Sequence, residues 1–106
     1  MVILYLTCPN EDEARTIGNA LLEAKLIACV RHLAVNSSYW WEDKINHDNE
    51  VLLMMESLEE KFDQIEKVVT TLHSYDDYVL TAVPVAKTTP GVLKWLDETL
   101  NNRTDE

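Results

Sequence analysis

Val51-Leu52-Leu53-Met54-Met55, the centre of a run from Ile45 to Met55, decides how this chain folds. The run follows the turn signal Glu42-Asp43-Lys44 and reads as a strand with one residue set on each face. Val51, Leu53 and Met55 form one set, and Leu52 and Met54 the other. Both sets are apolar. A strand with one wet face alternates apolar with polar residues, so this pattern predicts a sheet buried on both sides.

Upstream, Tyr39-Trp40-Trp41 is an aromatic, strand-like segment that resumes after Asn36-Ser37-Ser38 interrupts the strand before it. A second strand begins near Leu26 and includes residues 28–35, Ala28-Cys29-Val30-Arg31-His32-Leu33-Ala34-Val35. Ala14, Ile17, Leu21 and Ala24 recur at helical spacing over residues 11–25. Asn10 stands as the N-cap, with Glu13 placed to close a capping box. Residues 2–8 form the first strand, ended by Pro9, with Val2, Leu4 and Leu6 on one side and Ile3 and Tyr5 on the other.

Downstream, Ser57 with Glu60 reads as a second capping pair. Leu58, Phe62, Ile65, Val69 and Leu72 then make an amphipathic stripe. Tyr78 to Val85 is the fourth strand, and Pro84 marks it as an edge. Thr89-Pro90 opens a short last helix whose apolar side is Val92, Leu93, Leu96 and Leu100. The polar tail from Asn101 is expected to fray. The order is β-α-β-β-α-β plus a terminal helix, an α+β, ferredoxin-like antiparallel sheet with two helices on one face.

Two helices cover one face of such a sheet, and the short third helix is too small to cover the other. A second copy of the chain is the simplest cover, and the aromatic run 39–41 suits a buried interface. A terminal helix folded back over a monomer is the alternative.

With 106 residues the chain is expected to be one domain, 1–106. Nineteen acidic against nine basic residues give a net charge of −10, which disfavours nucleic acid and anionic lipid. Met1 to Leu6 is apolar but too short to cross a bilayer and lacks a basic leader, so a cytoplasmic protein with no membrane contact is expected. Cys8 and Cys29 have neither C-x-x-C spacing nor the number of a disulfide framework, and are expected as small buried thiols. No Walker loop, dinucleotide fingerprint or G-x-S-x-G setting is present.

Ala28-Cys29-Val30, Ser38-x-Trp40-Trp41, Glu50-Val51, His73-x-Tyr75, Pro84-Val85 and Trp95-Leu96, in this order and at nearly these spacings, resemble the CutA family of divalent-cation tolerance proteins. The resemblance runs from the first strand to Leu100. It implies a homotrimer in which the long second and third strands pair between subunits. It also implies a role in tolerance of copper and other divalent cations, with no settled enzymatic activity. Some positions depart from the family pattern. Asp43 stands where the hairpin usually has glycine, Glu56 where lysine is usual, and Ser74 and Tyr78 where prolines flank the His-x-Tyr segment. Val92 stands where tyrosine is common, and Leu6 where some members carry a cysteine proposed to bind copper.

The resemblance points to His73 and Glu50 as metal donors, with Cys8, Asp76 and Asp77 as further local donors. Copper or zinc needs two to four such groups converging on one point, and no H-x-x-x-H or C-x-x-C unit supplies them. Glu50 and Glu56 lie about 20 Å apart along one strand and cannot share an ion within one chain. A helix-end histidine interacting with the helix dipole is the other reading of His73. His32 and His47 rank lower, as a strand and a loop histidine. The sequence thus favours a non-enzymatic, trimeric, cation-responsive protein, with no firm cofactor beyond copper or another divalent cation. A signalling or scaffold trimer that binds a small molecule or protein between subunits is the alternative, ahead of an undetected small-molecule enzyme.

Overall fold

In a computed structural model, which describes residues 1–101, the core is a four-stranded antiparallel sheet in the order β2-β3-β1-β4. The strands are β1 Val2–Cys8, β2 Cys29–Trp41, β3 Lys44–Ser57 and β4 Leu80–Pro84. The helices are α1 Glu11–Glu23, α2 Phe62–Leu72 and α3 Val92–Leu100. The expected α+β, ferredoxin-like order is present, with Pro84 on an edge strand. The tail expected to fray lies, beyond Asn101, outside the described residues.

Pairing of Leu4 with Met55 and Leu6 with Leu53 sets the inner face. Val2, Leu4, Leu6, Cys8, Leu53 and Met55 are buried there against Ala14, Ile17 and Leu21 of α1 and Ile65 and Val69 of α2. Ile3, Tyr5, Leu52 and Met54, on the outer face, are only half-buried, and Leu33, paired with Leu52, is exposed. The apolar pattern of both strand faces therefore meets helices on one side only.

Local structure differs from the sequence reading at several points. The Asn10 carboxamide accepts the Glu13 N–H at 2.8 Å as an N-cap should, but the Glu13 carboxylate reaches Ser74 instead of closing the box. Helix α1 stops at Glu23 because Lys25 turns left-handed, φ +56°, while the Lys25 and Leu26 N–H groups bond back to Leu22 and Leu21. Strand β2 accordingly begins at Cys29, not Leu26, and runs unbroken through Asn36-Ser37-Ser38, which pair with Asn49, Asp48 and His47. Strand β3 extends to Ser57, whose buried hydroxyl donates to the Leu26 carbonyl at 2.6 Å, so it caps no helix. A 3-10 turn over Glu59–Lys61 precedes α2. Strand β4 is shorter than 78–85, and α3 starts after Gly91, at φ +94°, not at Pro90.

The β2–β3 hairpin projects as an arm. The overall extents are 50 × 29 × 21 Å and the radius of gyration is 14.8 Å, against about 13 Å for a compact chain of this length. Glu42 and Asp43 at its tip both have positive φ, +51° and +63°, the geometry of a tight primed turn built without glycine. Near that tip Trp40 is 71%, Trp41 52% and Ile45 55% exposed.

Candidate functional site

Two neighbouring polar networks gather where β1 ends, α2 stops and the hairpin passes. The first centres on His73, the residue that ends α2 in extended conformation. Its ring is fully buried. Nε2 lies 2.8 Å from the Thr7 carbonyl, which only accepts, so Nε2 carries the proton. Nδ1, left with its lone pair, accepts the Tyr75 N–H at 3.0 Å. Glu13 approaches Nδ1 at 3.3 Å and spends its carboxylate on the Ser74 N–H and hydroxyl at 2.9 and 3.2 Å. Tyr78 stacks on the imidazole, 5.2 Å between centroids, and shares a 2.5 Å hydrogen bond with Thr70. Ser74 and Tyr78 are thus both tied into this network.

The second network lies on the outer face of the hairpin. Glu50 is 8% exposed, and its Oε2 accepts the Tyr75 hydroxyl at 2.7 Å. Two residues along the same face, Asp48 accepts the Tyr39 hydroxyl in a short hydrogen bond. Burial first, and then the bond and charge of Glu50, raise the Tyr75 phenol above its ordinary value. The bond to Asp48 is the main cause of the raised Tyr39 phenol. Both phenols are therefore firm donors at neutral pH.

The residues named from sequence are distributed as follows. Glu50 and His73 join adjoining networks linked through Tyr75, which donates its N–H to one and its hydroxyl to the other. Asp76 and Asp77 are exposed and enter neither network. Cys8 is buried, its thiol pushed up to about 12 by burial and then by Glu13, Glu11 and Glu50, so it stays protonated. His32 meets Glu11 at 2.7 Å and His47 meets Ser38 at 2.8 Å. Glu56 pairs with Arg31 at 2.8 Å on the outer face. Among the described residues no three His, Cys, Asp or Glu side chains converge as a metal would need. His73 ligates a metal only if the ring gives up Thr7 or Tyr75.

Sequence reasoning missed Thr7, Glu13, Tyr39 and Asp48 as partners. The hairpin register alone would have placed Tyr39 diagonally opposite Asp48; nothing in the sequence marks the Thr7 carbonyl. Two grooves, about 570 Å³ beside Phe62 and Pro84 and about 480 Å³ lined by Met1 and residues of the segment 85–93, lie away from both networks.

A small ferredoxin-like α+β protein with an elongated β2–β3 hairpin is the class defined by this architecture. A sequence model of the CutA1 divalent ion tolerance protein family matches residues 2–99, and the chain belongs to that family. The divalent-cation tolerance protein CutA of Archaeoglobus fulgidus is 36% identical over 97 residues, covering 92% of this chain and 95% of the relative. The solved structure of the A. fulgidus protein, described as a periplasmic divalent cation tolerance protein, superposes with a TM-score of 0.91 at 35% identity, over 93% of this chain and 97% of that one. CutA1 from Pyrococcus horikoshii superposes at 0.88 and 31% identity, again over 93% and 97% of the two chains.

Proposed function

We propose that the chain is a non-enzymatic homotrimer that answers to copper or another divalent cation, with Glu50 the group that meets the cation. Membership of the divalent-cation tolerance family is the observation that carries the cation part. The trimer is supported by the half-covered outer face and the three exposed apolar side chains of the hairpin arm. His73 acts in this reading as a positioning residue: it holds the end of β1 through Thr7 and the Tyr75 backbone, and Tyr75 in turn holds Glu50. We also place the protein in the cytoplasm, a proposal that fractionation tests against the periplasmic description of the A. fulgidus relative.

Titration calorimetry with copper(II) and zinc tests the cation reading. Glu50→Gln is expected to weaken binding about tenfold, the loss of one charged interaction. His73→Gln is expected to change it far less. Equal, weak binding by all three proteins would remove the cation role and favour a scaffold trimer whose ligand lies between subunits.

A further inference from the structure

Arg31 and Glu56 put two charges on a part of the outer sheet face that is otherwise uncharged. Residues opposite each other in the ladder share a face. Cys29 and Ile3 therefore flank Glu56 in one row, Met54 and Tyr5 follow Arg31 in the next, and Leu33 with Leu52 lies beyond. Arg31 and Glu56 are diagonal neighbours across β2 and β3, with Nη1 2.8 Å from Oε1. The pair is lopsided. The Glu56 side chain is 16% exposed, pressed into the face, whereas that of Arg31 is 58% exposed. Arg31 also stands on β2, the outermost strand, so it lies at the margin of the sheet.

Such a pair restricts what can cover the face. A foreign apolar surface would strip water from both charges and leave guanidinium N–H donors without acceptors, a costly outcome. A second copy of this chain brings an identical carboxylate and an identical guanidinium, so the face is complementary to itself. Attraction is also needed there, because each copy carries a net charge of −10 and repels the next.

We propose that Arg31 of one copy pairs with Glu56 of the next, and that this bond between copies sets their register. This rests on the trimer reading and specifies how its faces align. The apolar side chains favour burial in any orientation, because the hydrophobic effect has no direction. A register that presses Arg31 against apolar side chains strands a charge, and the register that gives its N–H donors a carboxylate avoids this. Each guanidinium then bridges two carboxylates, its own Glu56 and its neighbour's. The succession of bridges closes when the ring of copies closes.

Charge reversal with mixing tests the pair, read as the dissociation constant of the assembly from light scattering across a dilution series of the full chain. Arg31→Glu and Glu56→Arg each set like charges against each other. Each chain alone is expected to dissociate about tenfold or more readily than the wild type, with its circular dichroism unchanged. In an equimolar mixture, neighbours of opposite type meet with opposite charges, so the mixture is expected to assemble more tightly than either chain alone. Net charge by itself predicts a mixture intermediate between the two, and that result would overturn the proposal, since a pair confined to one chain gains nothing from mixing. Should a reversed chain fail to fold, Arg31→Met replaces it. That variant is expected to show the same tenfold loss, and an unchanged dissociation constant would overturn the proposal. A wild-type trimer unmoved by both reversals would remove the pair alone, whereas a monomeric wild type would remove the trimer and the pair together.

Discussion

Cys8 ends β1 with its thiol sealed from solvent, and its titration writes a pH dependence into the fold. Burial, followed by the charges of Glu13, Glu11 and Glu50, moves the thiol from 9.0 up to about 12. Below pH 9 both folded and unfolded chains hold the proton, and Cys8 contributes its full stabilisation. As pH rises from 9 toward 12 the unfolded chain releases the proton and the folded chain keeps it. Stability therefore falls by about 1.4 kcal/mol per pH unit from this group. Urea unfolding between pH 8 and pH 11 is expected to show a steeper loss in wild type than in Cys8→Ala; parallel slopes would show that the thiol titrates alike in both states. Ser57 carries a second prediction at this scale. Removing its hydroxyl leaves the buried Leu26 carbonyl without that donor, so Ser57→Ala is expected to cost about 1–3 kcal/mol in the same assay. In the sequence Ser57 with Glu60 looked like a helix cap. What the local pattern lacked was the carbonyl 31 residues upstream that needed its hydroxyl. The site has the same limit: His73-x-Tyr75 stood out as a motif, but the partner of Nε2 is 66 residues away and belongs to the backbone.

Among the elements, the β2–β3 hairpin departs furthest from its local sequence. Asn36-Ser37-Ser38 favours a break, yet the ladder continues from Cys29–Glu56 to Trp41–Lys44 without a gap. Cross-strand bonds from Ser38 to His47 and from Tyr39 to Asp48 supply what side-chain propensity does not. The two-residue turn demands left-handed backbone whatever residues occupy it, so Glu42 and Asp43 adopt it at a cost. Asp43→Gly is expected to stabilise the protein by about 1 kcal/mol, raising the melting temperature by roughly 4–8 °C. An unchanged or lower melting temperature would show that the Asp43 side chain compensates for its backbone. The helices, by contrast, were legible: Ala14, Ile17 and Leu21, and Ile65 with Val69, face the core as their spacing requires. The ends moved, at Lys25, at the 3-10 turn before Phe62 and at Gly91 before α3, and Leu72 and Leu93, read on the apolar stripes, are exposed.

For the whole molecule, the outer sheet face and the arm raise one question: what covers them. Val51 to Met55 is apolar in both registers, and the chain's own helices shield one face; the proposed trimer would shield the other. In the proposed trimer Trp40 and Trp41, exposed in the single chain, would serve as interface anchors, each worth about 2 kcal/mol or more on truncation. Trp40→Ser with Trp41→Ser is accordingly expected to dissociate the assembly while the circular dichroism of the sheet persists. The most direct measurement is the mass of the wild-type chain by light scattering at micromolar concentration. A particle of about 37 kDa, three copies of the 12.2 kDa chain, is predicted. A folded particle of 12.2 kDa would contradict the account, since the outer face would then be stable in water with no partner to cover it.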